Sequence, residues 1–277
     1  MTPSLRGNPN LHGIAAMLFA VLMFAVMDTG LKLLAAHYPA MQVAALRAMA
    51  SLPLVCAYVA WRGAFGTVLR VRWRLHLLRG VLGIAMLAAF AFGLRELPLA
   101  NAYSIFFVSP MLITVLSVPL LKERVDAARW MAIGVGMAGV LVVLRPTGAG
   151  LMTLGSLAIL FSAACYALSS VLVRILGRTD SSESMVLWLM VMVSIGAGVL
   201  AAPAWVPVRL EHGWILAGIA VTGFLGQVAI THAFRHGEAS AIAPFEYSAL
   251  AWGIGLDWLL WQVLPDGFTL LGAGIII

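Results

Sequence analysis

Five ionisable side chains inside long apolar stretches of this sequence are candidates for a functional role. Asp28 and Lys32 are four residues apart in the first stretch. Arg47 lies in the second stretch, and Glu246 and Asp257 lie near the carboxyl end of the chain, where Asp257 is more typical of a solvated acid at a helix end. Ionisable residues within lipid are costly, so they pair with one another or bind substrates, ions or protons. The role of each residue depends on the secondary-structure element that carries it.

The composition predicts that these elements cross a lipid bilayer. The chain has 277 residues, of which 62% are hydrophobic and 10% are charged, whereas soluble domains are about half apolar and about a quarter charged. The apolar stretches are continuous rather than alternating, which favours helices over a β-barrel. We predict an all-α membrane protein with ten transmembrane helices of about 20 residues each. The ten segments are 11–36, 40–60, 77–95, 98–120, 129–144, 152–176, 184–202, 214–234, 239–261 and 267–277.

The two terminal segments each need an interpretation. Arg6 precedes the first apolar stretch as in a signal peptide, but that stretch is too long for a signal and is predicted to be an uncleaved span. The last segment ends at Ile277 after about half the length that a span requires. We therefore expect the chain to be cut short within its final helix.

The distribution of positive charge predicts the orientation. With a cytoplasmic amino terminus, the inner loops carry twelve Lys and Arg residues and the outer loops carry three. This bias places both termini in the cytoplasm of a multi-pass protein of the bacterial inner membrane. The net charge of +6 is thus a topology signal and does not indicate nucleic-acid binding. The twelve inner residues are Arg6, Arg62, Arg70, Arg72, Arg74, Arg79, Lys122, Arg124, Arg129, Arg174, Arg178 and Arg235; the outer ones are Arg95, Arg145 and Arg209.

We expect neither a cofactor nor a metal. Cys56 and Cys165 lie in apolar segments without a CxxC motif, and they are typical of small core residues. The stretch Gly134–Gly139 reads GVGMAG and fits a dinucleotide-binding pattern, but it lies inside a predicted spanning helix. Close packing of helices explains these glycines better.

The chain contains an internal repeat. A shift of 142 residues places Gly13 on Gly155, Lys32 on Arg174 and Glu96 on Glu238. Two units follow, 1–146 and 147–277, each with five predicted helices. An odd number of helices inserts the second unit with the opposite orientation. Inverted repeats are typical of secondary transporters, whose substrate site lies near the middle of the membrane between the repeats.

Several motifs, in their order and spacing, resemble two tandem EamA domains of the drug/metabolite transporter superfamily. The first copy has Lys32 at the end of its first helix, then Pro39, Arg47, Ser109-Pro110, LKER at Leu121–Arg124 and the glycines Gly134 and Gly136. The second copy has APFEYSALAW at Ala243–Trp252 and LPDGFTLLGAG at Leu264–Gly274. The resemblance implies a transporter of metabolites or drugs, commonly an exporter, and the aromatic and neutral amino-acid exporters are the most similar in overall plan.

Two positions depart from the pattern of the family. Trp261 stands where a second-repeat counterpart of Glu123 is common, and Leu189 is the repeat equivalent of Arg47. Any role of the Glu123 and Arg47 charges therefore belongs to the first repeat alone.

Asp28 and Arg47 are predicted to pair across a helical hairpin. They are almost equally far along the chain from the turn at Pro39, so they should lie level with each other. An ion pair would offset most of the cost of burying them. Lys32 lies one turn closer to the interface, which its long side chain can reach. These charges either lock the hairpin or, for Asp28, exchange partners with substrate or a proton.

Glu246 is the second candidate. It follows Pro244, which leaves a backbone carbonyl free, and it adjoins Tyr247. A broken helix that carries an acid and a phenol is typical of transporter binding sites. Glu246 either contacts substrate or a coupling proton, or it pairs with a charge on another helix.

Aromatic and polar residues complete the candidate site. Tyr103, Phe106 and Phe107 precede Pro110 and could flank an apolar substrate group, although ordinary packing is the alternative for each. Tyr166 and Gln227 could line the site or merely join helices by hydrogen bonds.

These features favour a secondary active transporter that exports amino acids or similar small metabolites by alternating access. Its partners would be a small-molecule substrate and the bilayer, without nucleic acid; a monomer is compatible with the sequence, and the oligomeric state stays open. A carrier of vitamins or nucleoside-like metabolites is the alternative within the class. A membrane-embedded enzyme is the alternative outside it, but the six His residues are scattered, and His232 and His236 have no evident carboxylate partner. A passive scaffold would not explain the buried acids.

Overall fold

The computed structural model describes residues 9–97, 99–145, 153–262 and 266–276, and every regular element among them is a helix. This confirms the predicted all-α class. The helices are α1 (Pro9–Ala35), α2 (Ala40–Trp61), α3 (Phe65–Val68), α4 (Trp73–Glu96), α5 (Leu99–Phe106), α6 (Ser109–Leu121), α7 (Ala127–Leu144), α8 (Leu154–Leu176), α9 (Ser182–Ala201), α10 (Gly213–His236), α11 (Ala239–Ile242), α12 (Ser248–Trp261) and α13 (Gly267–Ile276).

Eight helical segments of the described chain are long and apolar enough to cross a membrane. They correspond to the first eight predicted segments, with α5 and α6 together forming the fourth. The predicted ninth segment is α11, a 3₁₀ stretch at Ala243–Tyr247, and α12; the tenth contains α13. Ten spans and cytoplasmic termini stay predictions. The predicted truncation falls at Ile277, outside the described residues.

Proline interrupts two of the segments. Helix α5 ends at Phe106, and α6 begins at Ser109 with Pro110 in its first turn. Helix α11 gives way to the 3₁₀ stretch at Ala243, one residue before Pro244. A proline ring lacks an N–H group and clashes with the carbonyl four residues earlier, so neither helix continues unbroken. The interruption at Pro244 lies where the sequence predicts a free carbonyl.

The carboxylate of Glu123 fixes the start of the interrupted ninth segment. It accepts hydrogen bonds from the backbone N–H groups of Ala239 (2.9 Å) and Ser240 (3.0 Å). The Ser240 hydroxyl donates a third bond at 2.8 Å. An acid is favourable where backbone N–H groups begin a helix and lack partners. The LKER motif of one half of the chain therefore holds the broken helix of the other half.

The helices pair across the two halves of the chain. The most extensive contacts join α1 to α10, α2 to α9, α4 to α8 and α7 to α13. This pairing is consistent with the predicted repeat. The repeat relates segment one (α1) to segment six (α8) and segment three (α4) to segment eight (α10). The α1–α10 pair is therefore equivalent to the α8–α4 pair. The two halves are thus interleaved rather than set side by side.

Glu96 and Glu238, which the predicted repeat relates, contact helix starts at opposite ends of the bundle through different groups. The Glu96 carboxylate accepts a 2.7 Å bond from the backbone N–H of Gly155 at the start of α8. The Glu238 backbone N–H donates to Asn10 Oδ1 at 3.0 Å at the start of α1. Glu96 thereby joins the end of α4 to the first helix of the second half, and Glu238 joins the end of α10 to the first helix of the first half. We call the end at which α1 begins the amino-terminal side.

Candidate functional site

A cavity of about 270 Å³ lies inside the helix bundle. Helices α1, α2, α4 and α5 of the first half and α8, α9 and α10 of the second half all contribute to its wall. Its ionisable lining residues are Asp28, Arg47, Arg79 and Tyr166. A largely apolar chamber with a few converging polar groups is the usual form of a small-molecule site.

Asp28 of α1 and Arg47 of α2 both line the cavity. The predicted direct ion pair is wrong: among the ion pairs of the described residues, none brings these two groups within 4.0 Å. Their charges interact at longer range, and the Asp28 side chain is exposed. The Arg47 guanidinium carbon lies 6.0 Å from the centre of the Phe24 ring, at the limit of a cation–π contact. Asp28 and Arg47 therefore both have room for a ligand.

Lys32 is not part of the cavity wall. It lies one helical turn beyond Asp28, in the last turn of α1. Its position nearer the membrane surface stays a prediction.

Arg79 is a cavity residue that the sequence analysis placed in a loop. Helix α4 begins at Trp73, so Arg79 lies well inside it and is only 4% exposed. Its Nη1 donates a 2.8 Å bond to the backbone carbonyl of Met185 in α9. The predicted segment 77–95 already contained Arg79 near its start; Trp73 was the available signal that the span begins earlier, because tryptophan commonly marks the membrane interface.

Glu246 lies one hydrogen bond behind the cavity wall. The hydroxyl of Tyr166, which lines the cavity, donates to Glu246 Oε1 at 2.9 Å. Glu246 is buried in the 3₁₀ stretch between α11 and α12. The Phe106 ring lies 5.7 Å from the ring of Tyr166, so an aromatic pair separates the acid from the cavity. The sequence analysis identified each of these residues but not their contact.

The other predicted site residues divide into two groups. Phe106 and Gln227 line the cavity. Tyr103 does not line it; its ring contacts Phe90 and Phe107 instead.

Tyr247 and Phe107 belong to a packing cluster outside the cavity. Their ring centres are 6.1 Å apart, and both are buried together with Val140 of α7. The Tyr247 ring lies so close to Gly136 that a Cβ atom on this glycine would approach it to 2.3 Å. Consecutive residues of a helical turn point in different directions, so Glu246 faces α8 while Tyr247 faces α7. Neither Tyr247 nor Phe107 is among the residues that line the cavity, and their contact with substrate stays a prediction.

A polar network lies at the amino-terminal side, around the turn between α8 and α9. Asp180, in the turn between α8 and α9, lies 2.9 Å from His76 Nε2 and accepts a 3.1 Å bond from the backbone N–H of Arg72. Thr179 donates to the same carboxylate at 2.5 Å. Burial raises the pKa of Asp180, but hydrogen bonds from Thr179, His76 and Arg72 outweigh burial and hold that pKa below its usual value.

No group of three or more His, Cys, Asp or Glu side chains could hold a metal ion among the residues that the structure describes. The rings of His232 and His236 are 4.1 Å apart. These two residues would therefore supply at most two ligands to a metal ion.

The chain matches the model of the EamA-like transporter family twice, over residues 11–145 and 153–277. These matches cover most of its length, and the chain belongs to this family of multi-pass membrane transporters. A solved crystal structure superposes on 98% of this chain and 95% of its own with a TM-score of 0.81, and its 21% identity shows a shared fold alone.

Three named relatives illustrate the range of the family. The chain is 28% identical over 266 residues to the pseudopaline exporter CntI of Pseudomonas aeruginosa (strain UCBPP-PA14), covering 96% of this chain and 93% of the exporter. It is 28% identical over 278 residues to the riboflavin transporter of Vibrio cholerae, covering 99% and 93%. It is 25% identical over 265 residues to the S-adenosylmethionine uptake transporter of Rickettsia bellii, covering 96% and 90%. The predicted superfamily is confirmed, whereas these relatives do not support a specific likeness to amino-acid exporters.

Proposed function

We propose that this chain is a secondary active transporter that carries a small metabolite across the bacterial inner membrane by alternating access. The observation that carries the proposal is the cavity, which is bounded by both halves of the chain and lined by charges of both signs. A secondary transporter needs such a site between its repeats. The family membership and the double match to its model support the same function.

The pairing of helices supports an inverted repeat as the basis of the transport cycle. Equivalent helices pair in equivalent ways, and Glu96 and Glu238 make related contacts at opposite ends of the bundle. Two arrangements of similar energy are expected when one half can adopt the geometry of the other. Exchange between them would open the cavity alternately to each side, with residues 1–146 and 147–277 as the two repeats.

The lining favours a compact substrate that carries charge. Asp28 would face a positive group, Arg47 a negative group, and Phe106 with Tyr166 an apolar part. A zwitterion such as an amino acid is the simplest molecule of this kind, and export of aromatic or neutral amino acids stays our proposed instance. A vitamin or another metabolite is the second candidate, favoured by the relatives named for riboflavin and S-adenosylmethionine.

Glu246 is proposed to act through Tyr166 rather than by direct contact with substrate. A ligand that contacts the Tyr166 ring or hydroxyl would disturb its bond to the buried acid. Such a link could couple substrate binding to uptake or release of a proton, which would use the proton gradient as the source of energy. No enzymatic step is required of any residue in the cavity.

The test is transport by the purified full-length chain in proteoliposomes. Radiolabelled leucine, phenylalanine, riboflavin and S-adenosylmethionine would be followed by counterflow, with and without a pH gradient. We expect at least one compound to exchange, and Ser169→Trp, which fills the cavity, to abolish exchange. Leu157→Trp is the matched control and should transport normally, because Leu157 of α8 is 63% exposed and does not line the cavity. If Ser169→Trp transports as well as wild type, the cavity is not the transport site.

A further inference from the structure

Arg79 is a buried cation that the proposed transport cycle does not yet use. It is 4% exposed and lines the cavity from α4. One of its N–H groups donates to the Met185 carbonyl, and its Nε has no hydrogen-bond partner among the described residues. A buried guanidinium has five N–H groups to satisfy, so most of its hydrogen-bonding capacity is left over.

No acid of the described chain neutralises Arg79. Its side chain forms none of the ion pairs found among the described residues within 4.0 Å. Asp28, which lines the same cavity, interacts with Arg47 instead. Two guanidinium groups therefore share the cavity with one exposed carboxylate. Because an unpaired buried charge is costly, a ligand with negative charge would relieve the imbalance.

The position of Arg79 separates it from the Asp28–Arg47 pair. It lies six residues after the start of α4, near the amino-terminal side, whereas Asp28 lies seven residues before the end of α1. The bond to Met185 holds the planar guanidinium in one orientation between α4 and α9. A fixed guanidinium binds carboxylate or phosphate oxygens with two parallel hydrogen bonds.

We propose that Arg79 is a substrate-binding residue that receives an oxyanion, a carboxylate or a phosphate, of the transported metabolite at the amino-terminal end of the cavity. This inference rests on the proposed transport function. Any positive group of the same molecule would then lie toward Asp28 at the other end. A purely cationic or uncharged substrate is thereby excluded.

The experiment measures binding to the purified full-length chain with pairs of compounds of which only one member carries an oxyanion. Thermal stabilisation in detergent would be recorded for leucine against leucinamide and for glycerol 3-phosphate against glycerol. We expect the oxyanion-bearing member of at least one pair to bind about tenfold or more tightly than its partner, because hydrogen bonds between ionised groups are roughly twice as strong as neutral ones. The two pairs distinguish a carboxylate from a phosphate. Wild-type protein that binds leucinamide and glycerol as well as their partners overturns the inference.

Variants at two arginines of α4 separate ligand binding from structure. Arg79→Gln should remove the preference for the compound that carries the carboxylate or phosphate. Arg79→Lys should keep this preference with weaker binding. Arg74→Gln, exposed on the same helix, is the matched control and should bind as wild type does. Folded Arg79→Gln protein that retains the full preference overturns the inference. If Arg79→Gln does not fold, the wild-type comparison and Arg79→Lys decide.

Transport itself distinguishes the failure of this inference from the failure of the proposed function. Transport of an uncharged or purely cationic compound at a rate that Arg79→Lys does not change would support the transport function. The same result would overturn the role of Arg79. Absence of exchange for every compound tested would overturn both. Exchange of oxyanion-bearing compounds alone, weakened but not abolished in Arg79→Lys, supports both.

Discussion

The hydroxyl of Tyr166 donates a 2.9 Å hydrogen bond to the buried carboxyl of Glu246, which joins α8 to the 3₁₀ stretch of the ninth segment. Tyr166 contacts the cavity and Glu246 does not. The bond is therefore a physical connection between the contents of the cavity and the interrupted helix.

Removal of this bond should impair transport and stability together. Tyr166→Phe keeps the ring and leaves Glu246 without its donor, so we expect the free energy of unfolding to fall by about 1–3 kcal/mol. Glu246→Gln keeps an acceptor for Tyr166 and should fold, but transport should no longer respond to a pH gradient. Thermal unfolding in detergent and proteoliposome flux check both outcomes. Tyr103→Phe, outside the cavity wall, is the control and should be silent. Gradient-driven transport by Glu246→Gln would contradict a coupling role for the acid.

Two glycines of one helix should respond in opposite ways to alanine. Gly136→Ala places a Cβ atom 2.3 Å from the Tyr247 ring, whereas nothing lies within 4 Å of a Cβ atom at Gly134. Overpacking typically costs about 1–3 kcal/mol, and alanine in a free helical position gains about 0.5–1 kcal/mol over glycine. We expect Gly136→Ala to melt at a lower temperature than wild type and Gly134→Ala at the same or a higher one. Equal melting temperatures would show that Tyr247 can move aside.

Loss of the Glu123 carboxylate should loosen the start of α11. Glu123→Gln leaves one acceptor for three donors at Ala239 and Ser240, so stability should fall by about 1–3 kcal/mol. Glu211→Gln removes an acid whose ion pair with Arg209 is 65–67% exposed and should change little. Hydrogen exchange of residues 239–247 is the direct measurement. If exchange there is the same in Glu123→Gln and wild type, the motif does not hold the broken helix.

Asp28 and Arg47 should couple weakly in stability and strongly in transport. They share a cavity without a direct ion pair, so a double-mutant cycle of Asp28→Asn and Arg47→Gln should give about 1 kcal/mol or less. Each single variant should nevertheless reduce flux severalfold, because each group is proposed to face substrate. The Arg129–Glu238 pair, joined at 2.5 Å, provides a comparison cycle with stronger coupling. A loss of about 3–5 kcal/mol in each single variant, typical of a buried charge left without its partner, would restore the structural interpretation of Asp28.

Asp180 should make stability depend on acidity. Its pKa in the folded chain lies below the usual value, so its contribution is complete above the unfolded pKa of about 3.9 and is lost as the pH falls through the folded pKa. At pH 6, Asp180→Asn should be less stable than wild type by about 1–3 kcal/mol, and the difference should shrink below about pH 4. Melting temperatures from pH 3 to pH 6 test this. Asp126→Asn, an exposed acid that caps α7, is the control, since asparagine caps a helix equally well. A difference that grows on acidification would contradict the assigned role.

The predictable part of this structure depended on local chemistry. Continuous apolar stretches predicted the first eight helical segments, and Pro110 and Pro244 predicted the two interruptions. The short hairpin at Pro39 predicted that Asp28 and Arg47 lie close together, and both line the same cavity. These features need only lengths, backbone geometry and the cost of exposing polar groups to lipid.

The missed part depended on which way a side chain points. Arg79 was counted as a loop charge, because a cation near a helix end is equally compatible with a surface position. Glu246 and Tyr247 are adjacent, and only the local 3₁₀ geometry sends one toward α8 and the other toward α7. The bond between Tyr166 and Glu246 joins residues 80 apart in sequence, so no local pattern announces it.

The interleaved pairing of helices has a consequence for synthesis of the chain. The main partner of α1 is α10, which ends at His236, and the main partner of α4 is α8. The earliest helix to leave the ribosome therefore waits for more than 200 further residues before its largest contact surface is covered. Until then it must be shielded by lipid or by the insertion machinery. A half-length product would be an exposed intermediate, and two separately produced halves would have to find each other in the membrane before either was complete.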